Sequence, residues 1–485
     1  MFAAVDLGSN SFRLHIGKHD GEAIRIVKSA RDPIRLAAGL DSRGFLTEQA
    51  MHTAIDSLAR FRELLSAYPL DAIRVVATNT LRIAKNTAIF LPRAEEAIGH
   101  PIEIISGEEE GRLIYMGVSS MLPGLNERRL VLDIGGGSTE VILGRGADIE
   151  RVESFGIGTV KQSLSFFPDG HITPGAFEAA ILSARSHFED GAPPYHPQYW
   201  TKAYGSSGTM RAIAEAIEKN GLGDGTLSKR SLEALKLRLI HFGNINSIEL
   251  AGMRPDRAAV IVGGLAILIA LTEELGIDVI TTVEAGLRMG VLWDLQLRAT
   301  QRDRREQSVR DFLQRFHADE SRANRVAHIA EALYRQLKPG SGIYQKYLCW
   351  SCLLHEVGLS ISHSSYHKHG AYLVENADFP GFTTREQRTM GTLILAQKGN
   401  LRKLDSVLSD LDFTKAILAM RLAVMLMHSK VEVEPDELKL KMKNRIELEI
   451  QSDWIERHPT ISYWMEKEVE WWDEVGMDFV IKTSG

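Results

Sequence analysis

Two stretches of the chain, "FAAVDLGSNSFRL" beginning at Phe2 and "RLVLDIGGGSTEV" beginning at Arg129, follow one plan. Apolar residues run into Asp-x-Gly, small polar residues follow, and apolar residues resume. A strand that ends in Asp and turns through Gly and Ser leaves several backbone N–H groups aimed one way. Glycine there permits φ > 0 and lets a ligand approach the main chain. Such amide nests bind phosphate, and Ser, Asn and Thr side chains add donors. The groups concerned are Gly8, Ser9, Asn10 and Ser11 in the first copy, and Gly135, Gly136, Gly137, Ser138 and Thr139 in the second. The aspartates at the turns, Asp6 and Asp133, are suited to hold Mg²⁺ or orient its waters. Either copy alone reads as an ordinary hairpin with a glycine turn; two matching copies point to phosphate.

Other residue types extend this chemistry. "YGSSGTMRAIAEAI" (Tyr204–Ile217) is a strand end, a Gly/Ser turn and a helix, which places Gly205, Ser207, Gly208 and Thr209 where a helix N-terminus would face an anion. It is also a normal helix cap. In "ISGEEEGRLIYMG", Ser106 and Glu109 have capping-box spacing, so Glu109 reads as structural. Glu110 leaves the cap and points about a quarter-turn away. Near phosphate loops a carboxylate would repel the ligand, but it can take a proton from water; the other reading is a solvated first-turn Glu favoured by the helix dipole. Glu140 follows the second turn and lies on the outgoing strand close to Asp133; two hard oxygen ligands plus substrate phosphate suit Mg²⁺. "VVATNTLRIAKN" sets Thr78, Asn79 and Arg82 just past a buried strand, where Arg82 either clamps a phosphate bidentately or sits on the surface at a helix start.

The elements that must position these residues alternate between strand and helix. "FAAVDLG" and "SFRLHIG" read as strands, Thr47–Tyr68 as a Thr-capped helix, and Ala72–Thr78 and Pro101–Ser106 as strands. The pattern restarts at Arg129. Strand–helix alternation implies an α/β architecture with helices on both faces of a sheet. Beyond the arginine-rich "RATQRDRREQSVR" (Arg298–Arg310), patterns such as "RANRVAHIAEALYRQL" and "AILAMRLAVMLMHSK" are helical, and the tail ends in an acidic, Trp-bearing helix. The expected domains are residues 1–124, 125–298 and 299–485.

The 485 residues suffice for about two to four domains. A hydrophobic content of 44%, a charged content of 25% and a net charge of −6 describe a globular protein, not a general polycation for nucleic acid or membranes. The two cysteines, Cys349 and Cys352, exclude a disulfide framework; they read as small residues on one helix face rather than half of a zinc site. The longest apolar run, Ala258–Leu271, is too short to span a bilayer, and no basic leader with a cleavage site opens the chain, so the expected location is cytoplasmic.

"AAVDLGSNSFRL", "ATNTLRIAKNT", "IEIISGEEEGRLIYMGV", "LVLDIGGGSTEVI", "YGSSGTMRAI", "GLAILIAL" and "LLHEVGLSISHSSYHKHGAYLVENADFPGF" resemble, in order and spacing, the exopolyphosphatase / guanosine pentaphosphate phosphohydrolase family of the actin-like superfamily. The likeness runs from residue 2 to about residue 382. It implies two actin-like (ribonuclease H-like) α/β domains with the active site in the cleft between them, then an all-α HD-like domain. It implies Mg²⁺-dependent release of the terminal phosphate from inorganic polyphosphate or guanosine pentaphosphate, and a homodimer. By this resemblance Glu110 corresponds to the glutamate that activates water and Asp133 and Glu140 to the metal-associated acids. The two hairpins and the "GSSGT" loop correspond to the phosphate loops, and Arg82 to a phosphate-contacting arginine.

In long-chain members the helical domain helps guide the polymer, and "HSSYHKHG", "RATQRDRREQSVR" and "KLKMKNR" supply candidate cations here. "His355-Glu356" stands where HD phosphohydrolases have His-Asp, and His363, His367 and His369 lack that ligand spacing, so these histidines read as structural or as part of a basic wall. "DIGGGST" looks like the exopolyphosphatase branch, while "VEAGLRMGVL", with Glu284 and Met289, departs from the family's usual "GALREG". A different class, an ATP-dependent sugar or acetate kinase, draws on the adenosine-turn-like Ile261–Gly276 but lacks a sugar-reading aspartate; an actin- or chaperone-like ATP switch has no use for Glu110.

Overall fold

A computed structural model describes residues 1–21, 23–124, 126–300, 304–404, 406–428 and 438–484. The expected second-domain start at residue 125, residues 301–303 of the arginine-rich segment and residues 429–430 of a predicted helix lie outside the described residues. The chain forms two compact units, Met1–Asp303 and Arg304–Gly485.

The first unit contains two sheets. Strands β1 (Phe2–Leu7), β2 (Phe12–His19) and β3 (Ile24–Asp32) form a meander, followed by α1 (Glu48–Ser66), β4 (Ala72–Ala77), α2 (Asn79–Ile83), α3 (Thr87–Ile98), β5 (Ile102–Ile104) and α4 (Gly107–Ser119). A second meander, β6 (Arg128–Ile134), β7 (Thr139–Arg145) and β8 (Asp148–Phe155), precedes α5 (Thr159–Phe166), α6 (Pro174–Phe188), β9 (Lys202–Gly205), α7 (Gly208–Lys219), β10 (Leu227–Ser228), α8 (Lys229–Phe242), α9 (Pro255–Glu274), β11 (Val279–Thr282) and α10 (Leu287–Ala299). The sheet orders are β3-β2-β1-β4-β5 and β8-β7-β6-β9-β11-β10. The first five positions repeat the same connectivity, with the strands at the third, fourth and fifth positions paired in parallel in both. These are two actin-like halves built on one plan, as the repeated hairpin implied.

The halves share helices. α4, which follows the first sheet, packs on β6, β7 and β8; α10, which follows the second, packs on β1, β2, β3 and β4. The two helices cross at backbone contact: a Cβ at Gly290 would stand 1.7 Å from the Leu113 carbonyl oxygen, so only glycine fits. Beneath the crossing, Arg74 of β4 binds Glu103 at 2.7 Å, Asp294 at 2.9 Å and Glu109 at 3.3 Å, while Arg112 binds Glu109 at 2.6 Å and Asp294 at 2.7 Å. Buried charges hold only where each has a partner, so this network fixes α4 and α10 in register with β4.

The second unit has a helical core of α11 (Arg305–Arg315), α12 (Glu320–Gln336), α13 (Ile343–Leu353), α14 (Tyr366–Asn376), α15 (Thr384–Ala396) and α16 (Leu411–His428). Beyond the expected helices it carries a three-stranded sheet, β12 (Lys439–Met442), β13 (Ile446–Gln451) and β14 (Phe479–Ser484), interrupted by α17 (Ser452–Arg457) and α18 (Pro459–Asp473). The Trp-bearing tail helix docks through Trp472, fully buried, and through Glu468, whose carboxylate accepts from Arg421 at 2.7 Å.

Candidate active site

Each hairpin turn delivers an aspartate and a set of amides to one place. Asp6 faces Arg13 across β1–β2, and Asp133 faces Glu140 across β6–β7, with four turn residues joining the strands in each case. Among the described residues, the amides of Ser9, Asn10, Gly136 and Gly137 donate to no protein acceptor. The turn carbonyls, in contrast, are braced from behind: Ala37 and Arg35 N–H donate to the Ser9 and Asn10 oxygens at 2.9 Å, and Thr159 and Val160 N–H donate to those of Gly135 and Gly136 at 3.0 and 3.1 Å. The braces hold each nest open toward ligand. The turn glycines are not left-handed, contrary to the conformational reason expected from sequence. Close approach is what requires them: a Cβ at Gly136 would lie 3.1 Å from Ser9 Cβ and one at Gly137 2.6 Å from Asn79 Oδ1.

The turns meet in a cavity of about 380 Å³, room for roughly a dozen water-sized groups. Asp6, Gly8, Ser9, Asn10, Ser11, Glu110, Asp133, Gly135, Gly136, Gly137, Ser138, Ser207, Gly208 and Thr209 line it. Ser207 also caps α7, its Oγ accepting from Met210 N–H at 3.1 Å, so the cap and anion readings of that loop coincide. Glu284 and Met289 line the wall as well.

Four expected residues stand one layer back. Thr139 is fully buried and donates to the Ile157 carbonyl at 2.8 Å, which commits its hydroxyl to structure. Gly205 is buried at the end of β9, where its carbonyl accepts from Val283 N–H at 2.9 Å. Glu140 accepts from Ser154 at 2.9 Å. Arg82 donates to the Ile105 carbonyl at 2.7 Å and places Nη2 3.7 Å from Glu110 Oε2, beside the acid of the cavity.

Glu110 enters from the first turn of α4, one residue past the member of the ion network. The Ser106 hydroxyl caps the helix by accepting from Glu109 N–H at 3.1 Å, while the Glu109 carboxylate goes to Arg112 and Arg74 instead of completing the box. Glu110 Oε2 is buried without a hydrogen bond. Burial, then the charge of Glu140, holds its carboxyl well above the usual range, against the pull of Arg82. Burial likewise pushes Asp133 up to about 6 even though Ser206 Oγ donates to it, and burial with Asp133 pushes Glu140 up to about 7.

Opposite these acids stand arginines that sequence reasoning missed: Arg13, Arg211, Arg257 and Arg288. Arg288 Nη1 lies 3.2 Å from Asp6 Oδ2. Burial and the neighbouring Arg288 push Arg13 down to about 9, the mark of guanidiniums crowded without enough counter-charge. Arg13 stands two residues past the Ser of the first turn, on the inward face of the outgoing strand; that alternation was the signal available in the sequence. The arrangement can grip a polyanion from several sides and accept a proton beside it.

The family profile of Ppx/GppA phosphatases matches residues 15–299, and its domain III profile matches residues 304–469. The chain belongs to the Ppx/GppA phosphatase family. Its structural relatives include the Aquifex aeolicus Ppx-GppA enzyme, 26% identical over 60% of this chain and 98% of that one, with a TM-score of 0.50. An exopolyphosphatase from Cytophaga hutchinsonii, 24% identical over 61% of this chain and 97% of that one at a TM-score of 0.53, shares the fold. The Ppx/GppA assignment accounts for both actin-like halves and for the helical unit.

In that helical unit His355 is buried, with Nδ1 2.7 Å from the Cys352 carbonyl, and Glu356 pairs with Arg322 at 2.9 Å. Cys349 and Cys352 are free thiols, and burial raises both. Among the described residues no helix is long and apolar enough to cross a membrane.

Proposed function

We propose that this Ppx/GppA phosphatase hydrolyses the terminal phosphate of inorganic polyphosphate, releasing orthophosphate. The observation that carries the reading is the convergence, in one cavity, of two unpaired amide nests, four arginines and the Glu110 carboxylate, whose buried Oε2 makes no hydrogen bond.

The nests and arginines hold the terminal phosphate and offset charge as the leaving oxygen departs. Glu110 orients a water and accepts its proton at Oε2, with Arg82 holding the carboxylate in place. A raised carboxyl suits that role, because it binds the proton firmly once the water attacks. Asp133 and Glu140, opposed across β6–β7, are raised by burial, Glu140 also by the charge of Asp133 and Asp133 by that of Asp6, and they fit a divalent cation that would relieve both. Among the described residues no three acidic, histidine or cysteine side chains form a metal cage, so Mg²⁺ there would complete its shell with water and substrate oxygens. It would supply charge neutralisation on the phosphates.

Guanosine pentaphosphate is the second reading. It draws on Glu284, an exposed carboxylate on the cavity wall, which could accept from the donors of a nucleoside but can only repel a bare phosphate chain. The test is orthophosphate release from long polyphosphate with product lengths resolved on a gel. Chains shortening from the end support the proposal; mid-chain fragments, or release from guanosine pentaphosphate alone, contradict it.

A further inference from the structure

His15 stands in the same cavity without a part in the reaction as derived. It lies on β2, and alternate residues of a strand share a face about 7 Å apart. Ser11, Arg13 and His15 therefore form a row leading inward from the first turn, and all three line the cavity. Arg13 Nε donates to Ser11 Oγ at 3.1 Å, which confirms the shared face. His15 Nδ1 is buried with no hydrogen-bond partner. A buried ring nitrogen left unpaired on a cavity wall is costly unless a ligand completes it.

We propose that His15 is a direct ligand of the bound phosphate chain, contacting phosphates behind the terminal one, and that it carries a proton only while the chain is bound. This rests on the phosphate-chain reading above. The terminal phosphate belongs at the two turns beside Glu110, so the next phosphates run along the row past Arg13 to His15.

The groups around the ring explain the proton. Burial, then Arg288 of α10, Arg13 of β2 and Arg211 of α7, push it down to about 3, so the free enzyme holds a neutral imidazole. The acids of the same cavity, Asp6 on β1, Glu110 on α4, Asp133 on β6 and Glu284 before α10, do not offset this; Asp6 is engaged by Arg288 and Asp133 accepts from Ser206. Its register partners, Ala4 on β1 and Ser29 on β3, carry no charge. A phosphate chain reverses the local field: its charges satisfy the arginines and favour an imidazolium that donates to a phosphate oxygen. The proton comes from solvent, and no bond in the substrate changes at this step.

The test compares full-length Glu110→Gln protein with Glu110→Gln/His15→Gln, using tripolyphosphate as the probe. Calorimetric titration in buffers of different ionisation enthalpy counts protons taken up at pH 7. The expected result is greater uptake with His15 present, by up to one proton, and binding weakened about tenfold in the Gln variant, converging by pH 9. Equal uptake in both, or a difference that does not vary with pH, would overturn the inference. If the His15-containing protein fails to bind tripolyphosphate at all, the phosphate-chain reading falls first. Thermal melting confirms that both proteins are folded.

Discussion

Glu109 and Glu110 are neighbours in one helical turn with opposite surroundings. Glu109 is held by Arg112 at 2.6 Å and Arg74 at 3.3 Å and its carboxyl sits below the usual range, the arginines overcoming burial; Glu110 is held above it by burial and Glu140. One residue of chain thus separates the anchor of α4 from the acid it presents.

Glu109→Gln should unfold the protein more readily, by about 3–5 kcal/mol, because Arg74 and Arg112 would be left under-compensated in a buried network. Denaturant titration measures this. A loss below about 1 kcal/mol would mean that the network does not anchor α4.

The share of ligand-free stability that Asp133 and Glu140 control should fall as pH rises. Asp133, at about 6, and Glu140, at about 7, titrate above their unfolded values near 4, so the folded state binds more protons in that window. Their penalty is absent at low pH and complete above about 8, on the order of a few kcal/mol. His15, pushed down to about 3, and His355 and His367, pushed down to about 4, contribute the opposite slope, so the two acids are read by difference. Measured against an Asp133→Asn/Glu140→Gln variant, melting temperatures in chelator should decline from pH 5 to pH 8, and millimolar Mg²⁺ should restore most of the loss. A difference that is flat or rises with pH contradicts the assignment of these two acids.

Much of this was legible in the chain. The repeated turn located both nests and, through hairpin spacing, the Asp133–Glu140 pair; capping at Ser106 located Glu110. The third strand of each meander, β3 and β8, was missed because edge strands alternate polar and apolar residues and lack the apolar runs of β1 and β6. The arginines of the cavity were missed because Arg13, Arg211, Arg257 and Arg288 come from four elements that only the fold brings together. The strand-end position of Arg82 was legible, while its approach to Glu110 from α2 was not. The C-terminal sheet escaped notice because β12 and β13 alternate polar and apolar residues and the strands flank a helical pattern.

Gly290→Ala should cost about 2–4 kcal/mol, since its methyl would overlap the Leu113 carbonyl and force α4 and α10 apart. Because α4 carries Glu110, turnover at a temperature where the variant remains folded should fall as well. Unchanged melting and turnover would show that the crossing is not as close as described.

Glu284→Gln should raise kcat/KM for polyphosphate roughly fivefold at low salt, with the gain fading as salt screens the rim charge. If Glu284 reads a nucleoside, the same change lowers kcat/KM for guanosine pentaphosphate. Equal ratios for the two substrates before and after substitution would remove Glu284 from substrate choice.

The most direct measurement is orthophosphate release by Glu110→Gln set beside its affinity for polyphosphate. Removing the proton acceptor while preserving shape should lower turnover at least about a hundredfold with binding intact. Turnover close to that of the unaltered protein would contradict the account, because among the described residues no other acid of the cavity has a buried carboxylate oxygen free of hydrogen bonds.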